Sequence, residues 1–214
     1  MRNTLILICT IPLLSLVSCV ATRDLAYQPF AEQENYRQTY QVYENKEVVK
    51  TATEEPSKKE VVVDLENQRA QLLVNGLVAL DAPCTTGKEG KETPVGEYTV
   101  LEKIEDKQSN LFGKLYDKEG NLLFKGDRRK FEGEYETYEG FSIPFWMRMN
   151  YNGIGMHQSG SIKRQPASNG CVRLPANAVK KIFDLADVGT TVKVVSKRRP
   201  PTIERLKKML TFWN

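Results

Sequence analysis

Two short segments of this chain, Gly155-Met156-His157 and Ser168-Asn169-Gly170-Cys171-Val172-Arg173-Leu174, decide how the rest is interpreted. The first contains the only histidine among 214 residues, and the second places a cysteine fourteen positions after it. A thiol attacks as the thiolate, and an imidazole with an ordinary pKa of about 6.5 is the usual group that removes its proton. The two segments therefore predict a nucleophile, Cys171, and its base, His157.

The residues around this pair predict how a reacting carbonyl would be held. The polar stretch between the two segments ends in Pro166, which indicates a loop that folds back and brings thiol and imidazole within hydrogen-bond reach. Gly170 frees the turn, so the amides of Gly170 and Cys171 are expected to point together at a developing oxyanion. Arg173 is expected on the same face as Cys171, where its guanidinium would clamp a substrate carboxylate.

These residues resemble the signature of the L,D-transpeptidase (YkuD-type) catalytic domain, a histidine followed by Ser/Thr-His-Gly-Cys and then an Arg or Asn two residues on. Residues 62–68 and 85–98 resemble the opening strand of that domain and its Ser-Thr-Gly-Lys … Thr-Pro-Thr-Gly-Glu-Phe segment. Together the matches run from about residue 60 to residue 196. One position departs, because Asn169 stands where the family has its second histidine.

The resemblance implies both a fold and a reaction. The fold is mostly β, an L,D-transpeptidase-like β-sandwich or barrel with one or two short helices and an inserted hairpin. The reaction begins when Cys171 attacks a peptidoglycan tetrapeptide stem at the carbonyl of its third residue, with loss of D-alanine. A second stem's amine then takes the acyl group, which gives a 3→3 cross-link. In this scheme His157 is base and then acid, and Ser168, Asn169 and Arg173 orient the substrate or the loop.

Several alternatives stay open on the sequence. The same acyl-enzyme could pass its acyl group to water, to a free D-amino acid or to a protein lysine, and the first of these would make the chain a hydrolase. The chain could also be a non-catalytic peptidoglycan-binding lipoprotein of the same fold, with Asn169 as the sequence support. Finally, a lone histidine and a lone cysteine also occur as packing residues.

Residues 1–18 have the pattern of an export signal. A short positive start is followed by an apolar run, residues 5–16, that is too short to span a bilayer stably. The run ends in Leu16-Val17-Ser18-Cys19, which resembles the bacterial lipobox, whose cysteine is acylated. We therefore expect Cys19 to anchor the chain to a membrane through lipid, the alternative being an ordinary signal peptide. By resemblance to diderm lipoproteins, Val20 favours the periplasmic face of the outer membrane.

The rest of the chain is predicted to form three parts. Residues 19–59 are polar and are interpreted as the lipidated cysteine and a flexible tether. Residues 60–196 alternate short apolar runs with turn signals, which is typical of antiparallel strands, and we assign them to the catalytic domain. Residues 197–214 carry six basic residues and are predicted to form a basic C-terminal helix.

Two turns are predicted within the domain. Asn75-Gly76 separates two apolar runs and predicts a type I′ hairpin. The charged interval at about 105–140 is interpreted as an insertion, with a second hairpin turn at Lys118-Glu119-Gly120-Asn121. The insertion is either a solvated surface excursion or a lid beside the thiol.

Composition excludes other classes of function. The chain has 31 basic and 27 acidic residues, an excess too small for a nucleic-acid-binding surface. A single histidine without a Cys-x-x-Cys pattern makes a zinc site improbable, and no cofactor is implied. Cys84 is interpreted as a small apolar residue on a buried strand, and a redox-sensitive bridge to Cys171 is the alternative. The sequence gives no indication of the oligomeric state.

Overall fold

The computed structural model describes residues 28–54 and 56–196, and these fall into two units. Residues 28–36 belong to the first unit, which contains the short helix α1 (Gln28–Ala31). There the rings of Phe30 and Tyr36 pack edge to face, with centroids 5.7 Å apart. The described residues 37–54 and 56–196 belong to the second unit, which holds the sheets. The predicted signal segment, Cys19 and the basic C-terminal helix lie outside the described residues.

The second unit is built mainly from strands. The strands are β1 (Tyr43–Glu44), β2 (Lys59–Asp64), β3 (Arg69–Val74), β4 (Leu77–Pro83), β5 (Gly96–Thr99), β6 (Glu102–Ile104), β7 (Gln108–Tyr116), β8 (Leu122–Asp127), β9 (Thr137–Ser142), β10 (Trp146–Arg148), β11 (Gly155–Gln158), β12 (Val172–Leu174) and β13 (Thr191–Val195). The helices of this unit are α2 (Lys46–Glu54) and α3 (Ala176–Leu185), with a single 3₁₀ turn at Arg128–Lys130. The predicted mostly β fold with one or two short helices is confirmed.

The largest sheet has six strands in the order β1-β4-β3-β2-β13-β5. All neighbours are antiparallel except β13 and β2, which pair in parallel. The hairpin between β3 and β4 turns at Asn75 and Gly76, whose φ angles of 50° and 82° are those of a type I′ turn, as predicted. In β2, Val61 and Val63 alternate into the core at 0% exposure, the period expected of a strand.

A second sheet, in the order β12-β11-β10-β6, carries the two segments quoted first. Its buried side chains, among them Met147, Met156 and Val172, join those of the six-stranded sheet in one apolar cluster. Helix α3 contributes Ile182 to the same cluster and follows directly after Pro175. The core therefore lies under the strands that bear the histidine and follow the cysteine.

The predicted insertion forms its own three-stranded antiparallel sheet, in the order β8-β7-β9. The turn predicted at residues 118–121 does connect β7 and β8, while β9 was not predicted from the sequence. The two ends of the insertion are joined by backbone bonds, from Ile143 N–H to Lys107 O at 2.8 Å and from Phe145 N–H to Glu105 O at 2.7 Å. The insertion therefore leaves and rejoins the chain next to β10.

The tether prediction differs from the structure over residues 37–54, which are part of the folded unit. Strand β1 pairs with β4, and Asn45 caps α2 by accepting from Val48 N–H at 3.2 Å. Val48 and Ala52 on α2 are 2% and 5% exposed and pack on the apolar cluster. The segment looks polar in sequence because only two of its described side chains are fully buried, while Val42 and Val49 pack against the cluster at its edge. The sheet that the segment covers supplies the rest of the apolar surface.

Two further findings bear on the sequence analysis. Cys84 directly follows β4 and is fully buried. Cys84 and Cys171 are both free thiols. This fits its interpretation as an apolar packing residue. Over the described ranges, 28–54 and 56–196, no helix has both the length and the apolar character needed to cross a membrane.

Candidate active site

The histidine and the cysteine are brought together by parallel strand pairing. In the register of β11 and β12, Met156 lies opposite Val172 and His157 lies opposite Arg173. Met156 and Val172 are fully buried, so they point into the core. Because side chains alternate along a strand, His157 and Arg173 share the opposite face, at the end where Cys171 enters β12. Cys171, fourteen residues after His157 in sequence, thus lies at the start of the strand that pairs with the strand of His157.

The segment that follows β4 forms backbone hydrogen bonds with β12 and with the loop before Cys171. Thr85 and Arg173 exchange two backbone hydrogen bonds, of 3.0 and 2.9 Å, and Thr86 O accepts from the N–H groups of Ala167 and Ser168, each at 2.9 Å. Thr86 is in turn fixed by the amide side chain of Gln68, whose oxygen accepts from Thr86 N–H at 3.0 Å. The upstream segment 85–98 therefore supports, through its first residues, the segment that contains the cysteine.

Two buried hydroxyls set the turn that contains the nucleophile. Ser168 Oγ donates to Cys171 O at 2.6 Å and accepts from Gly170 N–H at 3.1 Å. Thr93 Oγ1 donates to Gly170 O at 2.7 Å and accepts from Gly87 N–H at 2.9 Å. Gly170 has a φ of 115°, a conformation that side chains rarely adopt, so glycine is needed there. Sequence reasoning assigned an orienting role to Ser168 but missed Thr93, whose signal was its place in the Thr-Pro-Val-Gly segment.

The Gly170 amide does not have the role predicted for it. It was expected to point with the Cys171 amide at an oxyanion, but in this structure it donates to the Ser168 hydroxyl. The reason is that Ser168 lies only two residues before Gly170, so the turn brings its hydroxyl within hydrogen-bond distance of the Gly170 N–H. The Cys171 amide stays the predicted oxyanion donor.

Gly87 is a second position where only glycine fits. A Cβ built there would lie 2.5 Å from Thr93 N and closer still to Lys91 O. This close approach lets the Gly87 amide reach the Thr93 hydroxyl, so the supporting segment and the nucleophile turn are tied through one side chain.

Cys171 is held as a neutral thiol. Part of the residue reaches solvent, but protein atoms surround most of the sulfur, and this burial raises the pKa of the thiol. The Gly155 N–H and the charge of Arg173 act in the opposite direction and lower that pKa. Sγ lies 3.5 Å from Gly153 O, which can only accept, so the contact suits S–H and not the thiolate.

His157 is held as a neutral imidazole with a defined tautomer. It is 7% exposed, and this burial, with the charge of Arg173 adding to it, lowers its pKa to about 4. Nδ1 lies 2.7 Å from Gln158 O. Since a carbonyl oxygen only accepts, Nδ1 must carry the proton, and Nε2 is left with the lone pair of a base. The ring lies beside Trp146, with centroids 6.2 Å apart.

The other predicted residues lie at the edge of this pair. Arg173 is half-buried and lies opposite His157 in the register of β11 and β12, and its charge lowers the pKa of both His157 and Cys171. Asn169 is exposed. The side chain at the position of the family's second histidine therefore faces solvent. Among the described residues there is no group of three or more His, Cys, Asp or Glu side chains that could hold a metal ion.

Comparison with known proteins identifies the family to which this geometry belongs. A family model described as YkuD, the L,D-transpeptidase catalytic domain, matches residues 58–194. The chain belongs to this family. The resemblance stated from the sequence is thereby confirmed, and the matched region begins after the folded segment 37–54. A comparison with curated proteins gave no matching relative.

A comparison with solved structures found L,D-transpeptidases among the matches. An L,D-transpeptidase from Mycobacterium smegmatis is 22% identical over 65% of this chain and 59% of that chain, with a TM-score of 0.49. An L,D-transpeptidase from Stackebrandtia nassauensis is 21% identical over 84% of this chain and 78% of that chain, with a TM-score of 0.49. The catalytic domain from the Enterococcus faecium enzyme is 27% identical over 67% of this chain and 99% of that chain, with a TM-score of 0.45. This chain thus spans less than two thirds of the Mycobacterium smegmatis protein, and its family membership rests on the match to the family model.

Proposed function

We propose that this chain is a peptidoglycan L,D-transpeptidase that works through a cysteine acyl-enzyme. Membership of the family supports a transpeptidase-type enzyme. The observation that supports the proposal is the parallel register of β11 and β12, in which His157 lies opposite Arg173 and Cys171 directly precedes the residue opposite Met156. A cysteine that partly reaches solvent, on the strand paired with that of a base whose Nε2 is free, fits a site for acyl transfer.

The resting state favours general-base catalysis over a preformed ion pair. Cys171 has a raised pKa and His157 a lowered one, so both are neutral near pH 7. In the first step the sulfur bonds to the carbonyl carbon of the third stem residue while its proton passes to Nε2 of His157. The Cys171 amide faces the oxyanion, and Arg173 supplies positive charge nearby.

The remaining steps return the site to its starting state. The tetrahedral intermediate collapses, the peptide bond to D-alanine breaks, and the leaving amine takes the proton from Nε2. A side-chain amine of a second stem then attacks the thioester and gives its proton to Nε2. The carbon–sulfur bond breaks, the sulfur takes that proton back, and a 3→3 cross-link is formed. Water in place of the amine would make the same site a carboxypeptidase.

Incubation with purified disaccharide-tetrapeptides and mass analysis of the products tests the proposal. We expect a cross-linked dimer and free D-alanine from the wild-type chain. Cys171→Ser should lower turnover by about three orders of magnitude or more, since a hydroxyl is a far weaker nucleophile here. His157→Gln should lower it by at least about a hundredfold. Asn169→His should change it by less than about tenfold, because Asn169 faces solvent.

Two results would overturn the proposal. Dimer formation by Cys171→Ser would remove the thiol from the mechanism. A wild-type chain that neither forms product nor is acylated by a carbapenem, whose strained lactam is a reactive acyl donor, would instead be a non-catalytic peptidoglycan-binding protein. If Asn169→His then gained activity, the solvent-facing asparagine would be the cause of the loss.

We also propose that Cys19 carries lipid and anchors the chain to the cell envelope, on the periplasmic face of the outer membrane in a diderm organism. The lipobox-like sequence ending at Cys19 supports this. Cys19→Ala should move the chain from the membrane to the soluble fraction while leaving the domain folded. Full recovery of that variant with membranes would place the anchor elsewhere.

A further inference from the structure

An open groove of about 700 Å³ lies beyond the base. It is lined by the loop 158–163 and Gln165, by Pro175 and Ala176 before and in α3, and by Tyr40. Gln158 directly follows His157, and Ser159 N–H donates to Leu174 O at 2.9 Å. The groove therefore starts at the residue after the base and runs beside the end of β12.

One wall of this groove comes from outside the region that defines the family. Tyr40 precedes the matched residues 58–194 and belongs to the segment that folds onto the sheet. Its two neighbours are fixed by a fully buried guanidinium. Arg69 donates to Thr39 O and to Gln41 O, both at 3.0 Å, and is paired with the equally buried Asp81 at 2.7 Å. The backbone of Tyr40 is thus held from both sides, while the residue itself is 61% exposed.

A strained arginine supports the Tyr40 wall. The guanidinium carbon of Arg164 lies 3.7 Å from the centre of the Tyr40 ring. Arg164 has a φ of 54°, rare for a residue with a side chain, and its buried Nε has no hydrogen-bond partner in the described chain. Strained backbone and an unmet buried donor both cost stability, and such costs concentrate at ligand sites.

The charge of the groove selects its ligand. Lys163 is exposed in the wall, Arg164 stacks under Tyr40, and none of the residues that line the groove is acidic. The Lys163 backbone is fixed, because its N–H donates to Thr85 Oγ1 at 2.6 Å. A lysine whose backbone is held, in the same wall as an exposed aromatic ring and serine and glutamine side chains, complements a peptide that ends in a carboxylate.

We propose that this groove binds a peptidoglycan stem peptide through its C-terminal carboxylate, with Lys163 facing the carboxylate and Tyr40 covering the peptide. The proposal rests on the proposed function for its choice of ligand. It makes Tyr40 a substrate-binding residue that the family region does not contain, and it gives the folded segment 37–44 a function at the site.

Binding to the full-length chain carrying Cys171→Ala tests the groove without turnover. The probe is a disaccharide-tetrapeptide, compared with the same compound whose C-terminal carboxyl group is amidated. We expect the acid to bind at least about fivefold more tightly than the amide, the equivalent of one charge-assisted contact. Lys163→Gln should remove this preference, and Tyr40→Ala should weaken both ligands by about fivefold or more.

Lys118→Gln is the matched control, since Lys118 is an exposed lysine in the turn of the inserted sheet. It should keep the preference for the acid. Equal binding of acid and amide, an unchanged preference in Lys163→Gln, or equal binding of a peptide-free disaccharide would overturn the proposal. Turnover by the wild-type chain separates this result from the proposed function. Turnover without Lys163-dependent binding refutes the groove alone, and Lys163-dependent binding without turnover refutes catalysis alone.

Discussion

At the scale of single residues, the geometry of the nucleophile turn depends on a hydroxyl distant in sequence. Thr93 Oγ1 joins Gly87 N–H to Gly170 O, and Thr93 is 3% exposed. The bond to Gly170 fixes the peptide directly before the nucleophile. A shift of that peptide would turn the Cys171 amide away from the oxyanion it is expected to face, and small misplacements of this kind reduce rates strongly.

Thr93→Val tests this link because it keeps the shape and removes the oxygen. Both backbone groups would lose a buried partner, so we expect the free energy of unfolding to fall by about 1–3 kcal/mol. The rate of Cys171 acylation by a carbapenem should fall about tenfold or more. Thr93→Ser, which keeps the hydroxyl, should restore most of the rate. Thr99→Val removes an exposed hydroxyl and is the control; an equal loss in that variant would contradict the positioning role.

The buried imidazole also makes stability depend on pH. His157 has a folded pKa of about 4, below the value of about 6.5 in an unfolded chain. As the pH falls below 6.5 the unfolded chain binds the proton first, so stability is complete above that pH and is lost towards pH 4. Between pH 7 and 4.5 the loss from this one group should be about 2–3 kcal/mol.

Urea unfolding of the wild-type chain and of His157→Gln at both pH values isolates this contribution. Carboxylates titrate in both chains and cancel in the comparison. The variant should lose less stability on acidification than the wild type, by the amount given above. The same loss in both chains would show that the histidine is not buried as a neutral group.

At the scale of elements, a buried ion pair decides where the N-terminal segment lies. Arg69 and Asp81 are both fully buried on neighbouring strands, β3 and β4, and Gln71 donates to the second carboxylate oxygen at 2.7 Å. The remaining donors of Arg69 reach the carbonyls of the segment at residues 39 and 41. The Arg69 guanidinium therefore holds the segment on both sides of Tyr40, next to the place where β1 pairs with β4.

Arg69→Met should separate this segment from the sheet. The change leaves Asp81 as an unpaired buried carboxylate, which costs about 3–5 kcal/mol of the free energy of unfolding. Cleavage of the native chain by a protease should become faster within residues 37–44, because two carbonyls lose their partner. Adding Asp81→Leu to Arg69→Met should recover part of the stability and none of the protection. Full protection in Arg69→Met would show that β1 and α2 alone hold the segment.

The sequence predicts the elements whose signals are local and misses those defined by a distant partner. The Asn75-Gly76 turn is predictable because the positive φ angles select the residues themselves. The pairing of His157 with the start of β12 follows from motifs close together in the chain. The fold of residues 37–54 is not predictable, since its two buried side chains and its hydrogen bonds to Arg69 depend on a sheet formed later in the chain. The Gly170 amide was assigned wrongly for a similar reason, because a serine two residues earlier competes for its proton.

At the scale of the whole molecule, the folded unit is larger than the region that defines the family. The match covers residues 58–194, but the compact unit begins at Arg37. Helix α2 packs on β4, and its Val48 and Ala52 belong to the same apolar cluster as Leu77 and Ala79. Lys181 on α3 donates to Glu44 on β1. The extension is therefore bound to both the six-stranded sheet and the helix that follows the nucleophile strand.

Two shortened chains test whether the extension is part of the stable domain. A chain that begins at Arg37 keeps β1 and α2, and one that begins at Pro56 lacks both. The second should be less stable by at least about 3 kcal/mol, because burial of a valine alone contributes about 1.5–3 kcal/mol and Arg69 loses two acceptors for a buried charge. Its urea m-value should also fall, since less surface is buried on folding. The measurement is urea unfolding of the two chains at the same pH, with carbapenem acylation of Cys171 as the test of a native site. Equal midpoints and equal m-values would contradict the structure, because they would mean that residues 37–55 contribute no buried surface, and the Tyr40 wall of the groove would then have no support.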